Sequence, residues 1–416
     1  MHVNRRSVHA ALLLIFVSVT PLSADPNDFY SWWSGLFSQF ADPNAGLTVF
    51  PTLLIPMGGR YEGMGTAYAA MALDTGFIES NPSASALLSD TALSFSHHSW
   101  TADSNLEGVV YSVRFNELGI GFGGKFLYVP FFQYDAWGDP IASGYVSETV
   151  ATANISYNFF QTYYFPGLAV GANVKIAYRD VPSVFALNQS AIAFMTDIGL
   201  QTSFDLAKFY PAREKNFAVG AALKNLGLSV LSGEQLPLMA TLGVAYKPLR
   251  PWTISCDFNY PFSLDPVTAP AESWNVAVGT NVDITSFLSL QGGIHFDADN
   301  PRFSLGAIIE LVGISFVVNY NLDLSKQLNP LDAFSALAQM DLGDFGRKAA
   351  QNQAESLFQA GMQEYASGNY EKAIEYWRQA LEIDPASKYT LSREWIDTVQ
   401  KTIDLQKQLP SSKIGS

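Results

Sequence analysis

From Thr91 to about Leu342 the chain alternates apolar and polar residues with a period of two, and few folds satisfy alternation on that scale. In Trp252 to Tyr260 one face carries Trp252, Ile254, Cys256, Phe258 and Tyr260, and the other Thr253, Ser255, Asp257 and Asn259. Leu168 to Arg179 and Ile314 to Asp323 repeat the pattern. Each such strand has one wet face and one dry face, because successive side chains point to opposite sides of a sheet. Candidate strands fall near 91–99, 107–116, 118–128, 147–159, 167–179, 191–204 and 216–226. Others fall near 237–247, 251–260, 273–284, 286–297, 302–312, 313–323 and 333–342. The lengths suit tilted membrane crossings of about 9–11 residues.

A soluble sandwich also alternates, so the connectors matter. Long links (Pro130 to Val146, Asp180 to Ser190, Ser263 to Ala271) take turns with short ones (Asn116-Glu117, Pro248 to Arg250, the junctions near Thr285 and Val312). Transmembrane barrels place short turns on one side and long loops on the other. Leu206 to Asn216 breaks the rule, being long where a short turn is due. The dry faces often end in aromatics, as an interfacial girdle does.

Composition agrees with export into a membrane. Only 15% of the 416 residues are charged, against about 25% in ordinary soluble domains. The first 24 residues read as a signal peptide: Arg5 and Arg6, an apolar run from Ala10 to Val19, then Leu22-Ser23-Ala24. Beyond them no stretch is long and apolar enough for a spanning helix. A net charge of −14 without any Lys/Arg cluster argues against a nucleic-acid partner. Cys256 is the sole cysteine, which excludes an intrachain disulfide and multi-cysteine metal sites.

Ahead of the strands, Gly58 to Leu88 is glycine-rich, full of small residues and nearly uncharged. It reads as neither a clean helix nor a clean strand, and so as a plug feeding a barrel. Gly58, Gly59, Gly63 and Gly65 permit backbone conformations that other residues resist, and Asn81-Pro82 sets a rigid turn into the first strand.

After the strands, Ala354 to Pro385 matches the tetratricopeptide (TPR) pattern at Leu357, Ala360, Gly361, Gly368, Tyr370, Ala373, Trp377, Ala380 and Pro385. Ala360, Gly361 and Ala373 let two helices approach, with Tyr370 and Trp377 filling the outer gaps. Gly368-Asn369 turns the corner, and a third helix, roughly Tyr389 to Gln408, caps the open face.

No motif nominates a catalytic residue, a metal ligand or a cofactor. His97 and His98 point to opposite faces of a strand, and His295 is a lumen residue. The wet faces instead supply a mixed polar lumen, including Arg114, Lys125, Lys175, Arg179, Asp197, Lys224, Asp257 and Glu310. Most of these read as structural ion pairs.

Gly63-Met64-Gly65-Thr66-Ala67, then Ala69-Ala70, Asp74 and Asn81-Pro82-Ser83 resemble the hatch motif of FadL-type outer-membrane transporters of long-chain fatty acids, together with their PorV-like relatives. Ser83 stands where that family commonly has Ala. The added TPR unit looks like an arrangement in FadL-like proteins of treponemes, so the resemblance is closest to that spirochaetal group.

What the resemblance implies is an all-β transmembrane barrel of about fourteen antiparallel strands with an N-terminal hatch, plus a small all-α C-terminal TPR unit. The divisions are a signal peptide (1–24), an N-terminal segment and hatch (25–90), an outer-membrane barrel (91–343), a periplasmic helical unit (344–409) and a disordered tail (410–416). The implied activity is uptake of long-chain fatty acids or similar hydrophobic molecules by diffusion past the hatch, without enzymatic chemistry. Gly58, Gly59, Gly63, Gly65, Asp74, Asn81 and Pro82 then line the path. Phe131, Phe132, Tyr134, Trp137 and Phe185 capture ligand on external loops. Leu357, Gly361, Tyr370, Ala373, Trp377, Ala380 and Pro385 mark the unit that docks a periplasmic partner, while the barrel contacts outer-membrane lipid. A PorV-like adaptor is the alternative: a membrane anchor whose TPR recruits periplasmic or secreted proteins without transport.

Overall fold

A computed structural model describes residues 50–71, 74–100, 103–162, 165–186, 188–211, 214–229, 235–264, 271–297, 301–324, 332–384 and 390–408. The signal peptide, Pro385 and the C-terminal tail predicted above lie outside these residues, as does the whole segment before Phe50.

Fourteen strands form one closed antiparallel barrel in which each pairs with its sequence neighbours and the first pairs with the last. They begin with β1 (Ala92–Ser99), β2 (Asn105–Phe115), β3 (Leu118–Tyr134), β4 (Pro140–Phe159) and β5 (Leu168–Asp180). Then come β6 (Ala191–Phe204), β7 (Phe217–Ser229), β8 (Met239–Leu249), β9 (Trp252–Pro261) and β10 (Asn275–Asp283). The last are β11 (Leu288–Phe296), β12 (Arg302–Leu311), β13 (Ile314–Asp323) and β14 (Ala333–Asp341). Closure runs from Ala92↔Asp341 to Ser99↔Phe334. The expected number and order of strands hold throughout.

The alternation is inside out. In β6 Ala191, Ala193, Met195 and Asp197 are buried, whereas Ile192, Phe194, Ile198 and Leu200 are exposed. Polar side chains line the lumen and join across strands: Asn173 receives from Asn154 at 2.8 Å and donates to Asp197 at 2.8 Å, and Asn259 donates to Asn275 at 2.8 Å. A polar interior behind an apolar exterior suits lipid outside, where every backbone group must be paired within the protein.

One strand boundary differs from expectation. Pro130 to Val146, read as an external loop, is largely a two-stranded ribbon, with pairs from Val129↔Val146 to Tyr134↔Pro140. It outruns its neighbours, because β2 ends opposite Tyr128 and β5 opposite Ser147. Pro130 and Pro140 are tolerated where no further strand needs their missing N–H.

Beyond β14, α-helical segments span Arg347–Ala366, Tyr370–Ile383 and Thr390–Gln408. Trp377 is the centre of their core rather than an outer filler: it is fully buried, and its Nε1 donates to Phe358 O at 3.3 Å. Gly361 leaves the space that the indole occupies.

Candidate functional site

Residues 50–71 and 74–91 run through the lumen and make the site. Two short helices, α1 (Gly59–Gly63) and α2 (Phe77–Ser80), are flanked by 3-10 turns at Pro51–Leu53 and Pro82–Leu87. Numbered after them, the C-terminal helices are α3 (Arg347–Ala366), α4 (Tyr370–Ile383) and α5 (Thr390–Gln408).

Buried charge holds this segment at several heights. Near the loop end, Thr52 donates to Glu148 Oε2 through its backbone nitrogen (3.2 Å) and its hydroxyl (2.5 Å), while Arg179 pairs with Glu148 Oε1 at 3.0 Å. Lys125 pairs with Glu79 and donates to the carbonyls of Thr52 (3.0 Å) and Ile55 (2.7 Å). Further along, Gln201 Nε2 donates to Ala70 O at 2.7 Å. Asn81 Nδ2 donates to Ala69 O (2.7 Å) and to Leu200 O of β6 (3.0 Å).

Between these ties the segment lies directly on the wall, and the wall residues there are glycines. Cβ atoms built on Gly171, Gly243 and Gly293 meet Ser83 Cα at 2.7 Å, Ala69 Cβ at 2.9 Å and Gly65 Cα at 2.6 Å. These separations are impossible for real side chains, so glycine at those wall positions is what admits the segment's backbone.

Two cavities stand out among the described residues. The outer one, of about 370 Å³, opens toward the loop end. Its lining combines apolar residues, including Leu54, Ile78, Trp100, Leu236 and Phe262, with polar ones, including Lys175, Lys224, Asn275 and His295. Lys175 is neutralised by Asp197 at 2.6 Å. Lys224, also buried, donates to Glu79 O at 3.2 Å and has no carboxylate within ion-pair distance among the described residues. Arg302 stacks on Trp100 at 4.1 Å. The inner cavity, of about 200 Å³, lies at the turn end between Arg60, Asp74, Asp90, Glu310, Gln339 and Asp341.

Of the expected path residues, Gly65 lines the outer cavity and Asp74 the inner one. Gly58, Gly59 and Gly63 form or adjoin α1, beside Ser335, Leu337 and Asn319. Asn81 and Pro82 line neither cavity and are packed on the glycines of β5 and β6. Phe131, Phe132 and Tyr134 sit on the ribbon, Trp137 at its tip, and Phe185 on the next loop against Phe131 at 4.8 Å. Gly361, Ala373, Trp377 and Ala380 are buried in the helical unit's own core, with Leu357 and Tyr370 packed against it. These motif positions therefore hold the unit together rather than form its surface.

The sequence reading missed Glu62. Its carboxylate is 2% exposed and receives hydrogen bonds from Asn321 and Ser335, with His98 Nε2 at 3.4 Å. The signal was there: an Arg-Tyr-Glu triplet stands inside an otherwise small and apolar run.

A family model described as an uncharacterised protein family, UPF0164, matches residues 37–339, and a tetratricopeptide repeat model matches 354–387. Two UPF0164 proteins of Treponema pallidum (strain Nichols) are similar along most of their length. One is 28% identical over 377 residues, covering 88% of this chain and 85% of its own. The other is 25% identical over 394 residues, covering 86% and 76%. Among solved structures, the CymD monoaromatic hydrocarbon channel superposes with a TM-score of 0.49 at 12% identity, over 70% of this chain and 98% of that one. The Pseudomonas putida toluene transporter TodX gives 0.46 at 13% identity, over 65% and 94%. A Pseudomonas aeruginosa FadL homologue gives 0.44 at 11% identity, over 68% and 97%.

Proposed function

The chain belongs to the uncharacterised protein family UPF0164, and from that starting point we propose that it is an outer-membrane channel admitting long-chain fatty acids or similar hydrophobic molecules past a lumenal hatch. The observation that carries this reading is the outer cavity. It is large enough for a small amphiphile, since ligand pockets begin at about 300 Å³. Its lining combines apolar side chains with Lys224, a buried ammonium without a carboxylate within ion-pair distance among the described residues. An alkyl chain suits the apolar lining and an acidic headgroup the ammonium, where a charge-assisted hydrogen bond forms away from water.

In this reading the ribbon aromatics Phe132, Tyr134 and Trp137, exposed beyond the wall, gather ligand from the outer leaflet. The barrel sits in the outer membrane with its turn end and helical unit in the periplasm, where the exposed faces of the TPR meet a partner or carrier. Titration of the folded full-length protein with a fluorescent long-chain fatty acid tests it. Saturable binding is expected, weakened about tenfold or more in Lys224→Met, the loss of one charge-assisted hydrogen bond.

A second reading has a specific observation behind it. The TPR unit carries its own packed core, with α5 closing it through Val399 and Ile403, which is what a PorV-like adaptor requires. No saturable binding of fatty acid to the full-length protein removes the fatty-acid ligand and favours the adaptor.

A further inference from the structure

The two cavities lie in line along the lumen, and the α1 turn stands between them. Tyr61 and Glu62 face the outer cavity, whereas Arg60, one residue earlier, faces the inner cavity with Asp74. We infer that the cavities are successive compartments of one axial route, with α1 as its removable partition and Glu62 as the residue that holds the partition shut. The inference rests on the channel reading above and specifies the exit: through the lumen toward the turn end, not sideways between strands.

Three features support it. First, α1 is held largely by side chains. Glu62 receives Asn321 and Ser335, Asn319 Nδ2 donates to Gly59 O at 2.9 Å, and Arg60 pairs with Glu310 and lies 3.7 Å from Asp74. Side chains exchange such partners for water by rotating. The main-chain seat of α1 is the looser one: a Cβ built on Gly306 meets Gly63 Cα at 3.2 Å. Those built on Gly220 and Gly293 meet Ala69 O at 1.9 Å and Gly65 N at 2.1 Å, so that moving residues 64–71 displaces a tightly keyed main chain.

Second, the closed arrangement leaves polar groups unmet where α1 meets the wall. Both amide atoms of Gln291 and Asn319 Oδ1 are buried without a hydrogen-bond partner in the protein. Buried groups in that condition oppose the state that buries them. Withdrawal of α1 exposes all three to water, so closure at this contact depends on what Glu62 contributes.

Third, the wall beside the inner cavity offers no seam. The ladders joining β12, β13, β14 and β1 are continuous, and a sideways exit there breaks backbone hydrogen bonds in lipid, where nothing replaces them.

The test uses the full-length protein in planar bilayers with ion conductance as the readout, which needs no hydrophobic ligand. Glu62→Gln keeps the shape and removes the charge. Its time-averaged conductance is expected to rise about tenfold over the unmodified protein, the population change that follows loss of a charge-assisted hydrogen bond. Glu310→Gln, which frees Arg60 from the inner side, is expected to raise conductance as well and serves where Glu62→Gln fails to assemble. Gln201→Ala cuts an equally buried tie between the segment and β6, and its conductance should stay near the unmodified level. Unchanged conductance in both glutamine variants overturns the inference. So does an equal rise in Gln201→Ala, which makes the whole segment move as one body. A failed fatty-acid titration, in contrast, removes the ligand reading and leaves a conductance rise standing.

Discussion

Asp257 Oδ2 accepts a hydrogen bond from the backbone nitrogen of Ala69 at 2.8 Å, and the neighbouring nitrogen of Tyr68 donates to the same oxygen at the same distance. One carboxylate on β9 thus fixes the middle of the lumenal segment. Asp257→Ala removes both bonds and leaves two buried donors unmet, a loss of about 2–4 kcal/mol felt locally. Hydrogen–deuterium exchange should show protection lost at Tyr68 and Ala69 while the barrel keeps its heat-modifiable mobility on electrophoresis. Retained protection at those amides refutes the assignment.

Gly65 gives a sharper effect. Its φ is +60°, and a Cβ built there lies 2.7 Å from the nitrogen of Ile294 and 2.8 Å from the carbonyl carbon of Gly293, both main-chain atoms. Gly65→Ala combines an unfavourable backbone region with displacement of β11, a cost of about 2–4 kcal/mol. The variant should expose the lumenal segment to protease in the assembled barrel. A protease pattern identical to the parent's counts against this packing.

The helical unit answers to Trp377. Truncation of a fully buried Trp costs about 3–5 kcal/mol, comparable to what a small three-helix unit has to spare. Trp377→Ala should abolish most of the helical circular dichroism while the strand signal and heat-modifiable mobility persist. Gly361→Ala, which pushes a methyl group into the indole, should act in the same direction. Loss of the barrel along with the helices contradicts a separate core.

Asp344 makes the start of α3 sensitive to acid. Its Oδ2 accepts from the backbone nitrogen of Lys348 at 2.7 Å and its Oδ1 from Gly346 at 3.1 Å. The Lys348 N–H, and then Gly346 and the nearby cations, hold this carboxyl below its ordinary value of 3.8. A lowered folded pKa stabilises at pH values above the unfolded one, and the contribution disappears as pH falls through the folded value. The amide resonance of Lys348 should therefore titrate with a midpoint below 3.8. In Asp344→Asn that titration should vanish, and a midpoint at or above the ordinary value rules out the capping role.

The strands were legible because each one states its own pattern: Trp252 to Tyr260 alternates without reference to any other part of the chain. The wall glycines were not. Gly171 and Gly293 read as weak points in strands, and their reason lies in Ser83 and Gly65, far away in sequence. The β3–β4 ribbon was hidden because Val129 to Tyr134 has no lumen to face, so alternating burial gives no signal there. Within the lumenal segment, glycine content drew attention to Gly58, Gly63 and Asn81. The chemistry instead gathers at Glu62, whose partners Asn321 and Ser335 come from strands near the other end of the chain. The TPR residues were correctly placed as a helical unit, but motif spacing marks the positions that pack, not those that a partner touches.

The pairing of Ala92 with Asp341 also constrains the order of assembly. Residues 50–91 precede the first strand, and the cylinder is complete only when the last strand reaches it. A filled interior cannot be loaded through a finished wall whose glycines grip the filler's main chain. A segment already in place when the seam shuts needs no such passage, and serves as the mandrel around which the strands are laid.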